Sequence, residues 1–247
     1  MNTRRIDVHL LPALLGQTDL TGTVAVVIDV LRATTTITHA IAHGAACVVP
    51  CQTIEQAKQT AASFPNALLG GERGGEKIEG FDLGNSPTEY TREAVADRPV
   101  VFTTTNGTQA MQAVRAADAI YIAAFVNLSA VCRELAPYPH LHIVCAGTEG
   151  EITREDVLLA GAIVDLLEAG AGPKIPLDLN DQAQIAADAW QEAKAALTAT
   201  SLSERLRASR GGRNVLRLGQ ENDIEIAATL DKFDLAPRLD PKTWEIR

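Results

Sequence analysis

The sequence has 247 residues and a formal net charge of −9 at pH 7, with 22 lysines and arginines against 31 aspartates and glutamates. This length can bury a substantial core, either as one large α/β domain or as two small lobes. The acidic balance, with no block of lysine or arginine, argues against nucleic acid as a partner.

The first 15 residues form an apolar cluster that Asp7, His9 and Pro12 interrupt. The cluster is too short and too polar for a signal peptide or a membrane span, so we expect a cytoplasmic protein with no membrane attachment. The four cysteines form no C-x-x-C pair, and a reducing compartment favours buried, free thiols. These cysteines are Cys47, Cys51, Cys132 and Cys145.

Apolar runs alternate with helical patterns along most of the chain. Strands are predicted at residues 24–30, 47–50, 67–69, 100–104, 119–123 and 141–146. Helices are predicted at residues 35–43, 54–63, 88–96, 107–116, 128–135, 153–169 and 181–197. The alternation predicts an α/β fold of three layers, α/β/α, with a mostly parallel sheet.

Two stretches depart from this alternation. Residues 70–87 are rich in glycine, and we expect a long irregular loop there, which inside a domain is usually functional. From residue 201 the pattern indicates helical pieces that residues 209–213 interrupt, followed by a polar tail.

A weak internal repeat aligns Val27 and Thr35 with Val100 and Thr108. The chain is therefore expected to be either a single domain over residues 1–247 or two pseudo-repeated lobes of about 1–98 and 99–237.

Polar residues follow the first predicted strand, at the point where the chain turns into a helix. They are Asp29, Arg32, Thr34 and Thr35. Ligands of open α/β sheets bind at this edge, and the first N–H groups of a helix attract anions. These residues therefore predict a phosphate or sulfonate site. The alternative is that a threonine caps the helix and Asp29 accepts hydrogen bonds from nearby donors.

The glycine-rich segment carries Glu72, Arg73, Asn85 and Ser86. Its glycines let the backbone approach a ligand closely, although a solvated flexible loop is the alternative. The segment is not a G-x-x-x-x-G-K-[ST] loop, so nucleotide binding is not indicated.

A third polar segment, Thr104, Thr105, Asn106 and Gly107, again lies between a strand and a helix. Two helix starts of this kind indicate an anion with two charged groups, while simple capping is the alternative for either one.

Acidic residues also precede or begin the helix predicted at 153–169. Glu149, Glu151 and Asp156 could reach a metal, but acids in a first helical turn also complement the helix dipole. His39 and His43 have the i, i+4 spacing of zinc ligands, yet no glutamate follows His39, and we expect no metal there.

Several motif-defined classes are excluded. The sequence has no D-x-D after its first predicted strand, no G-x-S-x-G, no C-x₅-R phosphatase loop and no G-x-G-x-x-G. Haloacid dehalogenases, α/β-hydrolases, cysteine phosphatases and dinucleotide oxidoreductases are thereby disfavoured. A non-catalytic protein that binds small anions stays open.

Several ordered segments together resemble the 2-phosphosulfolactate phosphatase family. The likeness extends from about residue 5 to residue 237 and rests on residues 29–36, 71–74, 80–87, 104–108 and 156–161. The C-terminal part matches loosely, with Gly219 and Asp223 as the positions that align.

The resemblance implies a Mg²⁺-dependent acid phosphatase. Such an enzyme releases phosphate from 2-phospho-3-sulfolactate to give 3-sulfolactate, on the route to coenzyme M. A phosphatase of another small phosphorylated hydroxy acid is the alternative. The expected partner is thus a small anionic phosphorylated substrate, and the sequence leaves open a monomer or a homodimer.

Our mechanistic hypothesis assigns Mg²⁺ to Asp29 and Glu72, because carboxylate oxygens suit this ion. In this hypothesis Arg32, Arg73 and the two threonine-rich helix starts bind the phosphate and the remaining acidic groups. Those helix starts contribute Thr34, Thr35, Thr104, Thr105, Asn106 and Gly107, with Asn85 and Ser86 beside them. The general acid or base is Asp82 or Asp156, and an aspartyl-phosphate on Asp29 is an alternative to attack by water.

Overall fold

The computed structural model describes residues 3–170, 176–197 and 200–247, and over these residues it contains ten β-strands and ten α-helices. The strands are β1 (Arg4–His9), β2 (Val24–Ile28), β3 (Cys47–Pro50), β4 (Leu68–Arg73), β5 (Glu76–Lys77), β6 (Pro99–Thr103), β7 (Ala119–Ala123), β8 (His140–Cys145), β9 (Leu177–Leu179) and β10 (Arg238–Leu239). The helices are α1 (Ala33–Ala42), α2 (Ile54–Ala61), α3 (Arg92–Val95), α4 (Gly107–Ala113), α5 (Leu128–Leu135), α6 (Arg154–Ala169), α7 (Asp181–Ala195), α8 (Leu202–Arg207), α9 (Arg210–Arg217) and α10 (Glu221–Ala227).

The strands form two sheets that are mostly parallel. The larger has the order β10-β7-β2-β8-β1-β9, and the smaller has the order β3-β6-β4-β5. Only the pairs β10–β7 and β4–β5 are antiparallel among these ladders. The predicted α/β fold with a mostly parallel sheet is confirmed. Strand β2 is buried along its whole length, as expected for a continuous apolar run in a parallel sheet.

Three apolar cores fill the space around the sheets. One face of the larger sheet packs against α5, α6, α7 and the C-terminal helices. A second core contains Ile37 of α1 and Met111 of α4 together with Val27 of the larger sheet and Val100 of the smaller. A third core joins β3 and β6 to α2. Helices α1 and α4 therefore share one core with both sheets. All four cysteines are buried, as predicted.

The last residues of the chain link the two sheets. Ile246 bridges to Val48 of β3 and to Leu239 of β10, and its side chain is fully buried. The backbone hydrogen bonds between Val48 and Ile246 are 2.8 and 2.9 Å long. The polar tail of the sequence analysis is therefore a structural element, which its polar composition concealed.

Each sheet contains strands from both sides of residue 98. Strands β1 and β2 pair with β7 and β8, and β6 pairs with β3 and β4. The proposed repeat aligns β2 and β3 of the first unit with β6 and β7 of the second. The strands pair across the units, because β2 pairs with β7 and β6 pairs with β3. The boundary between the lobes 1–98 and 99–237 consequently does not separate the sheets.

The remaining differences concern local structure. Strands β1 and β9 were not predicted, because charged residues interrupt their apolar pattern. The segment 70–87 begins in strand β4 and includes β5, so its first residues are regular structure despite their glycines. The predicted helix 88–96 is a 3₁₀ turn at Pro87–Glu89 followed by α3. No helix in the described ranges is long and apolar enough to cross a membrane. Residues 1–2 of the N-terminal segment lie outside the described residues.

We predict that Ile246→Ala lowers the free energy of unfolding by about 2–5 kcal/mol, because it leaves a cavity where the two sheets join. Urea unfolding followed by circular dichroism measures this change. The matched control is Ile185→Ala, whose side chain is 55% exposed, with an expected loss of about 0.5 kcal/mol or less. Equal losses in the two variants would contradict a linking role for the C-terminal residues.

Candidate active site

A cleft of about 250 Å³ opens where the carboxyl ends of β2, β4, β6 and β8 meet helix α9. Its lining combines acidic, amide, hydroxyl and basic groups with a few apolar side chains. The lining residues are Asp29, Leu31, Arg32, Glu72, Gly74, Gly75, Asn85, Thr105, Asn106, Thr148, Glu149, Gly211, Asn214, Val215, Arg217 and Leu218. The segments that the sequence analysis selected thus converge on one cavity, although not with all of their side chains.

Asp29 follows β2. Asp29 and Glu72 are the most buried carboxyl groups of the cleft lining. Oδ1 of Asp29 accepts a hydrogen bond of 3.2 Å from the N–H of Ala33 in the first turn of α1. Burial, helped by nearby Glu72 and Glu155 and opposed by the N–H of Ala33 and by Arg32, raises the pKa of Asp29 to about 7. At neutral pH the carboxyl group therefore favours a bound proton or a cation over free charge.

Glu72 lies near the end of β4 and joins two loops of the cleft. Its Oε2 accepts a 2.7 Å hydrogen bond from the N–H of Gly75, and its Oε1 accepts one of 2.7 Å from the N–H of Thr105. The carboxylate therefore fixes the glycine-rich turn against the loop that follows β6, and it still faces the cavity.

Arg32 lines the cleft, but other protein groups already bind its guanidinium. One terminal nitrogen lies 2.8 Å from Oδ2 of Asp223 and also contacts Gln220, and the other donates to the carbonyl of Gly75 at 2.8 Å. Both partners of the Arg32–Asp223 pair are buried. Ser86 donates to the other oxygen of Asp223 at 2.6 Å. Arg32 thus ties α10 to the cleft, and its charge is largely neutralised.

Three predicted substrate-binding residues do line the cleft. Asn106 is the N-cap residue of α4, but its Oδ1 accepts a 3.1 Å hydrogen bond from the N–H of Glu149 and none from the helix. Thr105 contacts Glu72 through its hydroxyl at 3.3 Å. Asn85 is 6% exposed, and its buried Oδ1 has no hydrogen-bond partner among the described residues. An amide oxygen of this kind is available to a ligand.

The other predicted substrate-binding residues shape the loops from behind. The hydroxyl of Thr34 donates to the carbonyl of Asp29 at 2.8 Å, and that of Thr35 donates to the carbonyl of Val30 at 2.8 Å. Thr104 accepts a hydrogen bond of 2.8 Å from Thr108 at its carbonyl. Because Asp29 occupies an N–H of the first turn of α1, the protein's own carboxylate takes the place of the predicted phosphate there.

Gly107 also lies behind the cleft, and its position has no space for a side chain. A Cβ at this position would lie 2.8 Å from Oδ2 of Asp29 and 2.6 Å from the Cβ of Ala33. Only glycine therefore allows α4 to approach Asp29 this closely.

Arg73 and Asp82 lie outside the cleft. Arg73 donates to the carbonyl of Gln52 at 3.0 Å and to the hydroxyl of Thr103 at 2.8 Å, on the far side of β4. The exposed Asp82 accepts a 2.8 Å hydrogen bond from the N–H of Leu69. Successive residues of a strand point to opposite faces, so Glu72 and Arg73 cannot both face the cavity. The structure corrects the predicted grouping of these residues.

Asp156 also supports the site without lining it. Its two oxygens accept hydrogen bonds from the N–H of Val30 at 2.9 Å and from that of Gly147 at 3.0 Å. Burial, together with Glu155 and Asp29, raises the pKa of Asp156 well above its usual range. The side chain therefore clamps the loops after β2 and β8 rather than contacting a substrate.

Helix α9 contributes residues that the sequence analysis missed. Asn214 and Arg217 line the cleft, and Arg217 is exposed with Asn214 as its hydrogen-bond partner. Gly211 packs against the buried Glu155, whose Oε1 would lie 1.9 Å from a Cβ at that position. The i, i+4 and i, i+7 spacing of Asn214 and Arg217 from Arg210 was a helical signal, which the two adjacent glycines obscured.

A second polar cluster lies away from the cleft, on β1 and β8. The side chains of Asp7, His140 and His142 place their potential ligand atoms within 4.8 Å of one another, which makes a triad that could hold a metal ion. Burial lowers the pKa of His142 to about 4, so its imidazole is neutral at pH 7. The sequence analysis did not connect these residues, because they are far apart in the chain.

The fold and the cleft together define an α/β enzyme with a small polar active-site cavity at the carboxyl ends of parallel strands. A sequence model of the 2-phosphosulpholactate phosphatase family matches residues 9–242. The chain is similar to a protein of Symbiobacterium thermophilum that is named a probable 2-phosphosulfolactate phosphatase. The two are 43% identical over 222 residues, which are 89% of this chain and 92% of that protein.

Two relatives with the same name show similar agreement. One from Pseudothermotoga lettingae is 41% identical over 232 residues, 94% of each chain. Another from Thermotoga maritima is 41% identical over 215 residues, which are 87% of this chain and 88% of that protein. The chain therefore belongs to the 2-phosphosulpholactate phosphatase family, a family of phosphoric monoester hydrolases. The resemblance drawn from the sequence segments is confirmed.

The raised pKa of Asp29 predicts a pH-dependent gain in stability for Asp29→Asn in the metal-free protein. Folding raises the pKa of this carboxyl to about 7, so its contribution favours folding at low pH and is lost as the pH rises through 7. The gain should therefore be larger at pH 8 than at pH 5, by about 1–3 kcal/mol.

Urea unfolding in the presence of a chelator measures this difference. Asp82→Asn is the matched control and should show no such gain, because the Asp82 side chain is exposed. If the gain in stability of Asp29→Asn is the same at pH 5 and pH 8, ionisation of the Asp29 carboxyl group does not destabilise the folded protein.

Proposed function

We propose that this protein is a Mg²⁺-dependent phosphatase that hydrolyses 2-phospho-3-sulfolactate to 3-sulfolactate and phosphate. The observation that carries the proposal is the convergence of Asp29, Glu72, Asn85, Asn106 and Arg217 on one cavity of about 250 Å³. The names of the relatives support the substrate, since three of them are called probable 2-phosphosulfolactate phosphatases.

The residues of the cleft fit a magnesium ion. Asp29 and Glu72 supply carboxylate oxygens, and Asn85 supplies a buried amide oxygen that has no partner among the described residues. Mg²⁺ prefers such hard oxygen ligands. The proximity of Asp29 to Glu72 and Glu155 also favours a cation at this place, because a cation would relieve their repulsion. When bound, the ion would neutralise phosphoryl oxygens and lower the pKa of water.

Side chains of the cleft position the substrate in this proposal. Thr105 donates its N–H and its hydroxyl to Glu72, which holds this loop in place, and the side-chain amide of Asn106 is the donor that can orient the phosphate. Such positioning and charge neutralisation account for most of the catalysis of phosphoryl transfer. Arg32 is a positioning residue in this arrangement, because its bonds to Asp223 and Gly75 fix the walls of the cleft.

Arg217 is the cation best placed for a second acidic group of the substrate. It lines the cleft from α9, and its described hydrogen bond goes to neutral Asn214 rather than to a carboxylate. Its charge is therefore available, in contrast to that of Arg32. A substrate with a sulfonate and a carboxylate besides its phosphate needs such a charge, since the cleft also contains acids.

Other features are consistent with this proposal. The four buried cysteines suit a reducing, cytoplasmic environment, and the net charge of −9 disfavours nucleic acid. A place in coenzyme M biosynthesis stays a prediction.

The first test is release of phosphate by the purified protein, with and without Mg²⁺. Phosphosulfolactate, phospholactate and phosphoglycerates are compared in parallel, and we expect the highest kcat/KM for phosphosulfolactate. A preference for another compound would place the enzyme among phosphatases of other small hydroxy acids. Tight binding of these anions without any release of phosphate would instead indicate a binding protein.

Asp29→Asn should lower kcat by a factor on the order of 10³ or more, because it removes a charged ligand next to the reacting phosphate. Steady-state phosphate release at saturating Mg²⁺ measures this effect, with circular dichroism to verify folding. The matched control Asp82→Asn should retain kcat within about twofold, since its side chain lies outside the cleft. If Asp29→Asn stays active, Asp29 is neither a metal ligand nor a nucleophile.

Arg217→Ala should raise KM for phosphosulfolactate by about 10–100-fold and change kcat less, because a charge-assisted contact to a remote acidic group is lost. Arg213→Ala is the matched control on the same helix. Arg213 does not line the cleft, so the KM of the Arg213→Ala variant should differ from that of the wild type by less than about twofold. Equal effects of the two substitutions on KM would mean that Arg217 makes no specific contact with the substrate and that α9 acts only through its overall positive charge.

A further inference from the structure

The polar cluster on β1 and β8 has the side-chain arrangement of a metal site. The two strands are parallel neighbours, and Asp7 is directly opposite His142 in their register. Residues two apart in a strand share a face, so Asp7 and His9 of β1 lie on the same face as His140 and His142 of β8. The register thus brings three imidazoles and one carboxylate together from two short segments.

The potential ligand atoms of Asp7, His140 and His142 lie within 4.8 Å of one another, with His9 beside them. Nε2 of His140 lies 2.9 Å from Oδ2 of Asp7, and Nδ1 of His142 lies 3.9 Å from the same oxygen. Nε2 of His9 lies 3.2 Å from Nδ1 of His142. Zinc–ligand bonds of about 2.0–2.1 Å separate neighbouring ligand atoms by about 3.3 Å. Small side-chain shifts would therefore be sufficient to enclose an ion.

The cluster is buried and incompletely satisfied as it stands. His142 is 1% exposed, His9 is 5% exposed and Asp7 is 6% exposed. Nε2 of His142 has no hydrogen-bond partner among the described residues. Buried polar groups of this kind normally have partners, because their desolvation is costly. His140 is partly open to solvent, which gives an ion a path of entry.

We propose that Asp7, His140 and His142 bind a zinc-type divalent transition metal. Imidazole ligands favour such metals over Mg²⁺, which prefers oxygen. Three protein ligands leave one position of a tetrahedral ion for water or, after a side-chain shift, for His9. The ion would cross-link β1 to β8 at the opposite end of β8 from the cleft, roughly 15–20 Å away at about 3.3 Å per residue.

Arg5 is compatible with this assignment. Its Nε lies 2.9 Å from Oδ2 of Asp7, and its side chain is 58% exposed. Arg5 and His140 both bind Oδ2 of Asp7, and a metal held by His140 and Oδ2 would take the place of the hydrogen bond between these two residues. Arg5 can keep its contact with the carboxylate, since a metal-bound carboxylate commonly keeps a hydrogen-bond donor. The proposal does not depend on the phosphatase activity.

The experiment uses the full-length protein, treated with a chelator and then dialysed into excess Mg²⁺ to occupy the cleft. Zn²⁺ alone is added, and bound zinc is measured by equilibrium dialysis with elemental analysis. We expect one equivalent in the wild type, and Co²⁺ in place of Zn²⁺ should give the visible absorption of tetrahedral coordination. Zinc at 100 times its Kd should raise Tm by about 5–10 °C.

The variants His140→Ala and Asp7→Asn should each weaken zinc binding at least about tenfold and abolish the rise in Tm. His140 is partly exposed and asparagine keeps the shape of Asp7, so at least one variant should fold. His43→Gln, outside the cluster, is the matched control and should bind zinc like the wild type. Asp29→Asn should also retain zinc, which separates this site from the cleft.

Two outcomes would overturn the proposal. One is a wild-type protein that retains no zinc or cobalt after dialysis, which would leave Asp7, Arg5 and His140 as an ion-pair network only. The other is zinc binding that His140→Ala and Asp7→Asn do not change. Loss of phosphate release in Asp29→Asn with zinc binding intact would support the two proposals separately.

Discussion

The structure depends on the burial of several carboxyl groups at the carboxyl edge of the sheets. Asp29, Glu72, Glu155 and Asp156 are all 6% exposed or less. Backbone N–H groups of neighbouring loops bind three of them, so each of these three acids fixes the conformation of a loop. Burying like charges this closely destabilises the fold unless a proton or a cation compensates. In the function that we propose, the same arrangement that costs stability prepares the cleft for a cation and a phosphorylated ligand.

The C-terminal third closes this site, although its sequence is the least regular part of the chain. Asp223 of α10 binds Arg32 and Ser86, which belong to separate segments of the N-terminal half. Helix α9 forms one wall of the cleft, and Gly211 allows it to pack onto Glu155. The Arg32–Asp223 ion pair links the loop after β2 to helix α10. Loss of either partner would leave the other charge buried and unpaired, which is strongly destabilising. The site is thus complete only when the whole chain is folded.

The arginines near the cleft show that a cation's hydrogen-bond partners, not its position in sequence, determine what it can do. Arg32 is buried against Asp223, and Arg73 is bound to Gln52 and Thr103. Arg217 lies at the cleft with an amide as its described partner, so its field is not cancelled. In the function that we propose, this charge attracts the anionic substrate into a cavity that also contains acidic residues.

The sequence by itself determined the α/β alternation, most strands and helices, and the loops at Asp29, Glu72 and Asn106 that form the cleft. These features follow from local periodicity and from the rule that ligands bind at the carboxyl ends of parallel strands. Only the tertiary structure decided that Arg73 and Asp82 point elsewhere, that Arg217 enters the cleft, and that β1 places Asp7 beside His142. Side-chain direction and strand pairing depend on tertiary contacts, such as the one between Asp7 and His140, which are 133 positions apart, and such contacts leave no periodic signal in a single sequence.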